Sequence, residues 1–339
     1  MLMQEVWVIL VLDIMSKNKL KRLAMDYTKE EKLISHIIQM MKAKAMGEAK
    51  HQITKRSAHA KTLAVLKGYL KIESKLPASL KTELFKEGAI YPAIIRLSNS
   101  SVKDKKDFKK DVRGFAIKIQ VNNQIQDLIL VSTKHMPLRH MEGFEAALCI
   151  LNGVNPIASM IRLCQNIRWS ELIKLILTRK HETSPLDISY YSMTPYACNQ
   201  EVVKYRLMPT SHYHSHKPFW LTATYLRDNM KKHLKTHRAT FDLMIQLQKP
   251  GMPIEDVSAT WSERESPFIK VGELMIKPQA FDTPKRWAMG EKLSYSPGNT
   301  LVSHRPIGEL NRARVRIYQE MAHFRKQRNR KTLDNTNKN

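Results

Sequence analysis

An α+β fold is what this sequence predicts: an antiparallel β-barrel or sandwich with appended helices. Several segments alternate apolar and polar residues at period two. They are not interleaved with helices in the regular way that a parallel sheet requires. Helical periodicity is gathered instead into a few stretches before, between and after them. The chain has 339 residues, 42% of them apolar, which is enough to pack one large core.

Residues 28–46 open with Thr28 and Glu31 in capping-box spacing, and Leu33, Ile37, Ile38 and Met41 form one apolar stripe. This is an amphipathic helix laid on the domain. Val65 to Ile72 reads as a strand, Leu76-Pro77 breaks it, and a short helical stretch reaches Phe85. Tyr91 to Asn99 is a strand with a polar exit. Arg113–Val121 and Gln126–Val131 flank Asn122-Asn123, a turn pair, and so form a hairpin. Residues 141–180 are helical in period, with Trp169, Leu172, Leu175 and Ile176 as anchors. Residues 181–222 are rich in Tyr, Pro and His and read as irregular, and 223–237 as a basic helix. Strands are expected at 241–248, 255–261 and 269–276. Loops carrying Pro278, Pro284, Pro297 and Pro306 lead to a final helix. With no repeat and no linker, residues 25–330 form one domain. Residues 1–24 read as a disordered extension, or one created by the choice of start, with Met15 and Met25 as alternatives; residues 331–339 read as a disordered polar tail.

The formal charge is +26 and the pI near 9.9. The excess is spread along the chain, which fits general attraction to anions better than a specific nucleic-acid footprint. Cys149, Cys164 and Cys198 are odd in number and widely spaced, which argues against a disulfide frame or a zinc site and for a reducing cytoplasm. The apolar run Val6–Leu12 is too short to span a bilayer and lacks the basic flank of a signal peptide. A weak association with an anionic membrane surface is its alternative reading.

In the final helix Arg314, Tyr318, Met321 and Arg325 share a face. A phenol between guanidiniums is poor core material. It suits a large planar anion, or a phenolate whose charge the arginines stabilise; a solvated basic face with an incidental Tyr is the plainer alternative. Upstream, His59 sits in Arg56-Ser57-Ala58-His59-Ala60-Lys61, Arg96 at a strand end, and Asp111-Val112-Arg113-Gly114 at the start of the hairpin.

Taken together, Arg56-x-x-His59-Ala-Lys, Tyr91-Pro, Arg96-Leu-Ser, Asp111-Val-Arg-Gly-Phe-Ala-Ile-Lys118, Gln126-Asp127-Leu128, Ser266-Pro-Phe-Ile-Lys-Val-Gly272, Tyr295-Ser-Pro-Gly-Asn299 and Ala313-Arg-Val-Arg-Ile-Tyr318 occur in an order that resembles the haem-dependent catalase superfamily, nearest to its short bacterial catalase-related branch. The resemblance covers about residues 50–329. It implies a catalase-like antiparallel β-barrel with peripheral helices that encloses one haem b. By position, Tyr318 matches the ligand of the iron, Arg314 the Arg one turn before it, and His59 the distal histidine that moves a proton between peroxide oxygens. Arg56, Arg96 and Arg325 match the arginines that hold the haem propionates. The family's distal asparagine falls at Ser132, and Phe144 is the candidate for the aromatic over the haem. The implied activity is haem-dependent decomposition of hydrogen peroxide. The alternatives are an isomerase or lyase of organic or fatty-acid hydroperoxides, of the allene-oxide-synthase type, and a haem-binding protein with little turnover. The expected partners are a peroxide, including an anionic fatty-acid hydroperoxide; the expected assembly is a monomer or small homo-oligomer.

Three further signals stand in the sequence. His212-Tyr213-His214-Ser215-His216 has metal-ligand composition but no nearby carboxylate. Glu255-Asp256 reads as a structural turn, and the basic run Arg325–Lys331 as the cationic end of a helix.

Overall fold

The computed structural model describes residues 28–47, 53–101 and 105–336, so the expected extension at 1–24 lies outside the described residues. Along the chain these are helix α1 (28–47), strands β1 (Thr62–Ile72), β2 (Ile90–Asn99), β3 (Arg113–Val121) and β4 (Gln124–Val131), then helices α2 (Met141–Leu151), α3 (Pro156–Asn166) and α4 (Trp169–Thr178). Strands β5 (Tyr190–Tyr191), β6 (Tyr196–Cys198) and β7 (Glu201–Pro209) follow, then α5 (Tyr225–Thr236), β8 (Ala239–Leu247), β9 (Ile269–Ile276), α6 (Pro284–Lys292) and α7 (Glu309–Thr336).

The strands hydrogen-bond in the order β5-β4-β3-β2-β1-β9-β8-β7, and β5 also pairs with β7. The ring therefore closes into an eight-stranded antiparallel barrel, with β6 added to the far end of β7. Closure leaves no long edge strand to cap. The Asn122-Asn123 turn sits where expected: Val121 pairs with Gln124, and Asn122 takes φ 50°, a conformation Asn tolerates. Alternate residues of β3, from Phe115 to Val121, point into the core and meet Phe241, Leu243 and Ile245 of β8. Phe115 lies edge-on to Tyr190 and Phe241 at 4.9 and 5.2 Å between ring centroids. Each such pair adds about 1 kcal/mol to the burial of its apolar area.

A second core lies outside the barrel. Ile34, Ile37 and Ile38 of α1 pack with Met141 and Cys149 of α2 and with Leu310 and Ala313 of α7. It holds α7 in place.

Four sequence expectations differ. Residues 181–222 are not irregular throughout, because they contribute β5, β6 and β7. Residues 255–261 form no strand: Asp256 accepts the Ser258 N–H and hydroxyl and closes a turn. The Pro284 stretch is a helix, with Pro284 in the first turn and the Thr283 hydroxyl accepting from the Arg286 N–H. Helix α7 continues through the residues read as a tail, as far as Thr336; the Asn329 side chain exchanges hydrogen bonds with both backbone groups of Thr54 and ties that end down.

Candidate active site

Between α7, the strap 54–59 and the mouths of β2, β3 and β4 lies a cavity of about 920 Å³, counting its open mouth. Its lining is mostly apolar, including Met41, Phe115, Ile129, Leu130, Ile317, Met321 and Phe324. An apolar-lined cavity with a few convergent polar groups is the usual form of a cofactor site.

One wall is α7. Tyr318, Met321 and Arg325 face the cavity, as the helical spacing required. The guanidinium of Arg314 lies 5.7 Å from the centre of the Tyr318 ring and is fixed by donating to Thr194 Oγ1 at 2.7 Å and Asn311 Oδ1 at 2.9 Å. Burial acts to lower the Arg314 pKa, but the Tyr196 and Tyr318 hydroxyls outweigh it and raise it. The guanidinium is therefore a permanent cation beside the phenol. Arg316 points away and pairs with Glu31 on α1 at 2.8 Å.

The opposite group is His59. Its backbone sits in the left-handed region at φ 54°, held by its own N–H donating to Ser100 O and by its carbonyl accepting from Arg96 Nη2 at 2.7 Å. The ring meets Ser98 through Nδ1 at 3.0 Å from Oγ. With Nδ1–H donating to that hydroxyl, Nε2 keeps its lone pair. Burial, then the charge of Arg96, pushes the His59 pKa down to about 4. The imidazole is thus neutral and able to accept a proton at neutral pH. Asp111 shapes the approach by accepting from the Ser100 hydroxyl and the Ser101 and Val112 N–H groups.

Gly114, cross-strand from Ser98, makes room for the imidazole. A Cβ there would stand 2.5 Å from His59 Nδ1 and 2.7 Å from Ser98 Oγ. Neither Ser98 nor the need for glycine at 114 was read as part of the site from sequence. The signal available was the Asp-Val-Arg-Gly motif, in which only a residue without a side chain permits this approach.

Arg56, Arg96 and Arg325 converge on a third side. Arg56 donates to the carbonyls of Gly290 and Leu293 at 2.6 and 2.7 Å; Arg325 donates to Glu291 O at 2.7 Å; Arg96 donates to Thr62 Oγ1 at 2.8 Å. The nearby carboxylate is Glu291, half exposed, at 3.5 Å from Arg56 and 4.0 Å from Arg325. Burial, then the charge of Arg56, holds the Arg96 pKa down at about 9 and that of Arg325 at about 10. Such a cluster is in excess of local negative charge and is complementary to an anion. The loop carrying Ser294 and Tyr295 is pinned by Asp127, which accepts from Lys118 at 2.7 Å, from the Ser296 N–H at 3.0 Å and from Asn299 Nδ2 at 2.8 Å. Three of the quoted motifs thus meet in one clip behind the cavity.

Two residues assigned from the sequence lie away from the cavity. Ser132 does not line the cavity; its hydroxyl accepts the Arg113 N–H at 2.8 Å, a bond that closes the end of the β3–β4 hairpin. Phe144 packs against the α1–α2–α7 core, because α2 turns that face toward α1 rather than toward the cavity. Besides Tyr318, the aromatic rings at the cavity are those of Phe115, Tyr295 and Phe324. Among the described residues, no asparagine lines the cavity.

The histidine tract is used otherwise: Tyr213 stacks on His237 at 4.6 Å, and His214 lies 3.8 Å from Asp187. Glu255 accepts from the Glu309 N–H and so caps α7.

The site thus sets a phenol–guanidinium pair against a half-buried neutral histidine at the side of a closed antiparallel barrel. Residues 26–146 match the catalase family. The structure is similar to a bacterial catalase (18% identity, TM-score 0.65), covering 83% of this chain and 59% of that one. It is similar also to a fungal catalase (17%, TM-score 0.60, 83% and 61%) and to catalase A from Saccharomyces cerevisiae (16%, TM-score 0.61, 83% and 63%). No curated protein sequence matches. The chain therefore has the fold of these catalases, while spanning about six tenths of their length.

Proposed function

We propose that the protein is a haem b-dependent enzyme that decomposes hydrogen peroxide. The observation that carries the reading is a single apolar cavity shared by Tyr318, His59 and the Arg56–Arg96–Arg325 cluster. The residues fit the group. The apolar walls suit a porphyrin, Tyr318 beside the Arg314 cation suits an anionic oxygen ligand, and the three guanidiniums, with Glu291 alone nearby, suit two carboxylates. Haem b, when bound, supplies the ferric centre that exchanges electrons with peroxide.

The chain's own work is proton transfer and orientation. Neutral His59 takes the proton from one peroxide oxygen and returns it to the other, which leaves as water. Ser98 holds the ring through Nδ1, so the transfer runs through the other ring nitrogen. Among the described residues no asparagine lines the cavity, so His59, beside the Ser57 and Ser98 hydroxyls, is left to orient the peroxide. Two molecules of peroxide yield two of water and one of oxygen.

The test is purification with haem followed by parallel turnover of hydrogen peroxide and a fatty-acid hydroperoxide. Oxygen release from hydrogen peroxide supports the proposal. Conversion of the organic hydroperoxide alone would replace it with the isomerase reading, and a haem complex inert to both would leave a haem-binding protein.

A further inference from the structure

Helices α3 and α4 are amphipathic in the reverse of the usual sense. Their apolar sides face solvent: on α3 Ile157 and Ile161 are 80% and 55% exposed, and on α4 Trp169, Ile173, Ile176 and Leu177 are 54–77% exposed. The four on α4 follow helical spacing and make one continuous stripe. The inward sides carry the polar groups. Buried Glu171 accepts from His135 at 2.7 Å, Lys174 at 2.7 Å and Thr260 at 3.2 Å. On α3 the one buried side chain is Ser159, and Arg162 reaches in to Glu145 at 2.7 Å. These bonds fix the rotation of both helices, so the apolar faces cannot turn inward without leaving buried carboxylates unpaired. An apolar surface of this extent on consecutive helices marks a docking site.

We infer that this face seats the protein on an anionic lipid surface. Charge decides the occupant. Arg162, Arg168 and Lys174 pair with Glu145, Asp256 and Glu171, and the charge beside the stripe is that of exposed Arg179 and Lys180, on a chain of net charge +26. Trp169 opens the stripe and Arg179-Lys180, both exposed, close it. Tryptophan and aliphatic side chains on one face, with lysine and arginine beside them, is the pattern of a helix lying in the headgroup plane. Among the described residues no helix is long and apolar enough to cross a membrane, which suits lying on the surface rather than spanning it. The stripe lies on helices outside the proposed haem cavity, so its loss leaves that cavity's residues in place.

The experiment is cosedimentation of the full-length protein with vesicles of phosphatidylcholine alone and with vesicles containing phosphatidylglycerol, beside light scattering of the free protein. The expected result is binding to the anionic vesicles that weakens with salt and falls at least about tenfold in Ile173→Glu/Ile176→Glu. Leu177→Glu, at the most exposed large apolar side chain of α4, should weaken binding in the same direction and guards against misfolding of the double variant. Absence of binding to either vesicle overturns the inference. So does binding that both variants retain, since charge alone would then account for it. A dimer that the variants convert to monomer, with no vesicle binding, overturns it in favour of self-association.

Discussion

Gly114→Ala is the sharpest probe of the site. Alanine suits a strand backbone at least as well as glycine and would gain about 0.5–1 kcal/mol from the unfolded chain. Its methyl, however, would stand 2.5 Å from His59 Nδ1, 2.6 Å from Cε1 and 2.7 Å from Ser98 Oγ. Ordinary contact needs about 3.5 Å, so the imidazole must retreat by about 1 Å. That movement breaks the 3.0 Å contact to Ser98, worth about 1 kcal/mol. With overpacking added, the net loss of stability is about 1–2 kcal/mol, and the variant still folds. The effect on chemistry is much larger, because a displacement of about 1 Å of a proton-transfer group costs about a hundredfold in rate. The assay is oxygen release per bound haem, with haem content measured spectrally on the same sample. A roughly hundredfold fall at full haem occupancy is expected. Turnover within about twofold of the parent would refute the reasoning, since it would mean that the ring is not held against position 114 during catalysis.

Tyr318→Phe removes the phenol beside Arg314, and the ferric absorption spectrum should change or haem should be lost; an unchanged spectrum would reject the ligand assignment. His59→Ala should retain haem and lose turnover by about 10²–10⁴-fold, and survival of turnover would exclude it as the proton carrier. Ser132→Ala should leave turnover per haem unchanged and cost about 1 kcal/mol in a urea titration, because its hydroxyl accepts only the Arg113 N–H; a tenfold fall in turnover would restore it to the site. Acid should unfold the protein through His59 and His304, both held at about 4 by burial. Their folded values lie below the ordinary 6.5, so the unfolded chain binds protons first as pH falls. Stability is full above 6.5 and declines toward pH 4, by on the order of 3 kcal/mol for each group. An unfolding midpoint unchanged between pH ~7 and ~4.5 would contradict this.

The local features were legible because their causes are local. The Asn122-Asn123 hairpin follows from turn chemistry, α1 from its capping box and stripe, and the shared face of Tyr318, Met321 and Arg325 from helical spacing alone. The short strand β5 was not legible, since two residues carry no periodicity and only barrel closure makes Tyr190-Tyr191 a strand. Ser132 and Phe144 lie away from the cavity for a related reason. A position in a motif gives a distance along the chain, but the direction of a side chain depends on which strand end or helix face the tertiary packing turns inward. The same holds for α3 and α4. Their amphipathic spacing is visible in the sequence, but spacing cannot say which side faces the core. The bonds of Glu171 to His135 and of Arg162 to Glu145, made between separate elements, decide that the apolar side faces out. By itself, then, the sequence determined the barrel class, the helix that carries Tyr318 and the arginines around it. Only the tertiary structure placed Ser98 and Gly114 around His59, because hydrogen bonds across strands and the space left by a missing Cβ exist only once the barrel has closed.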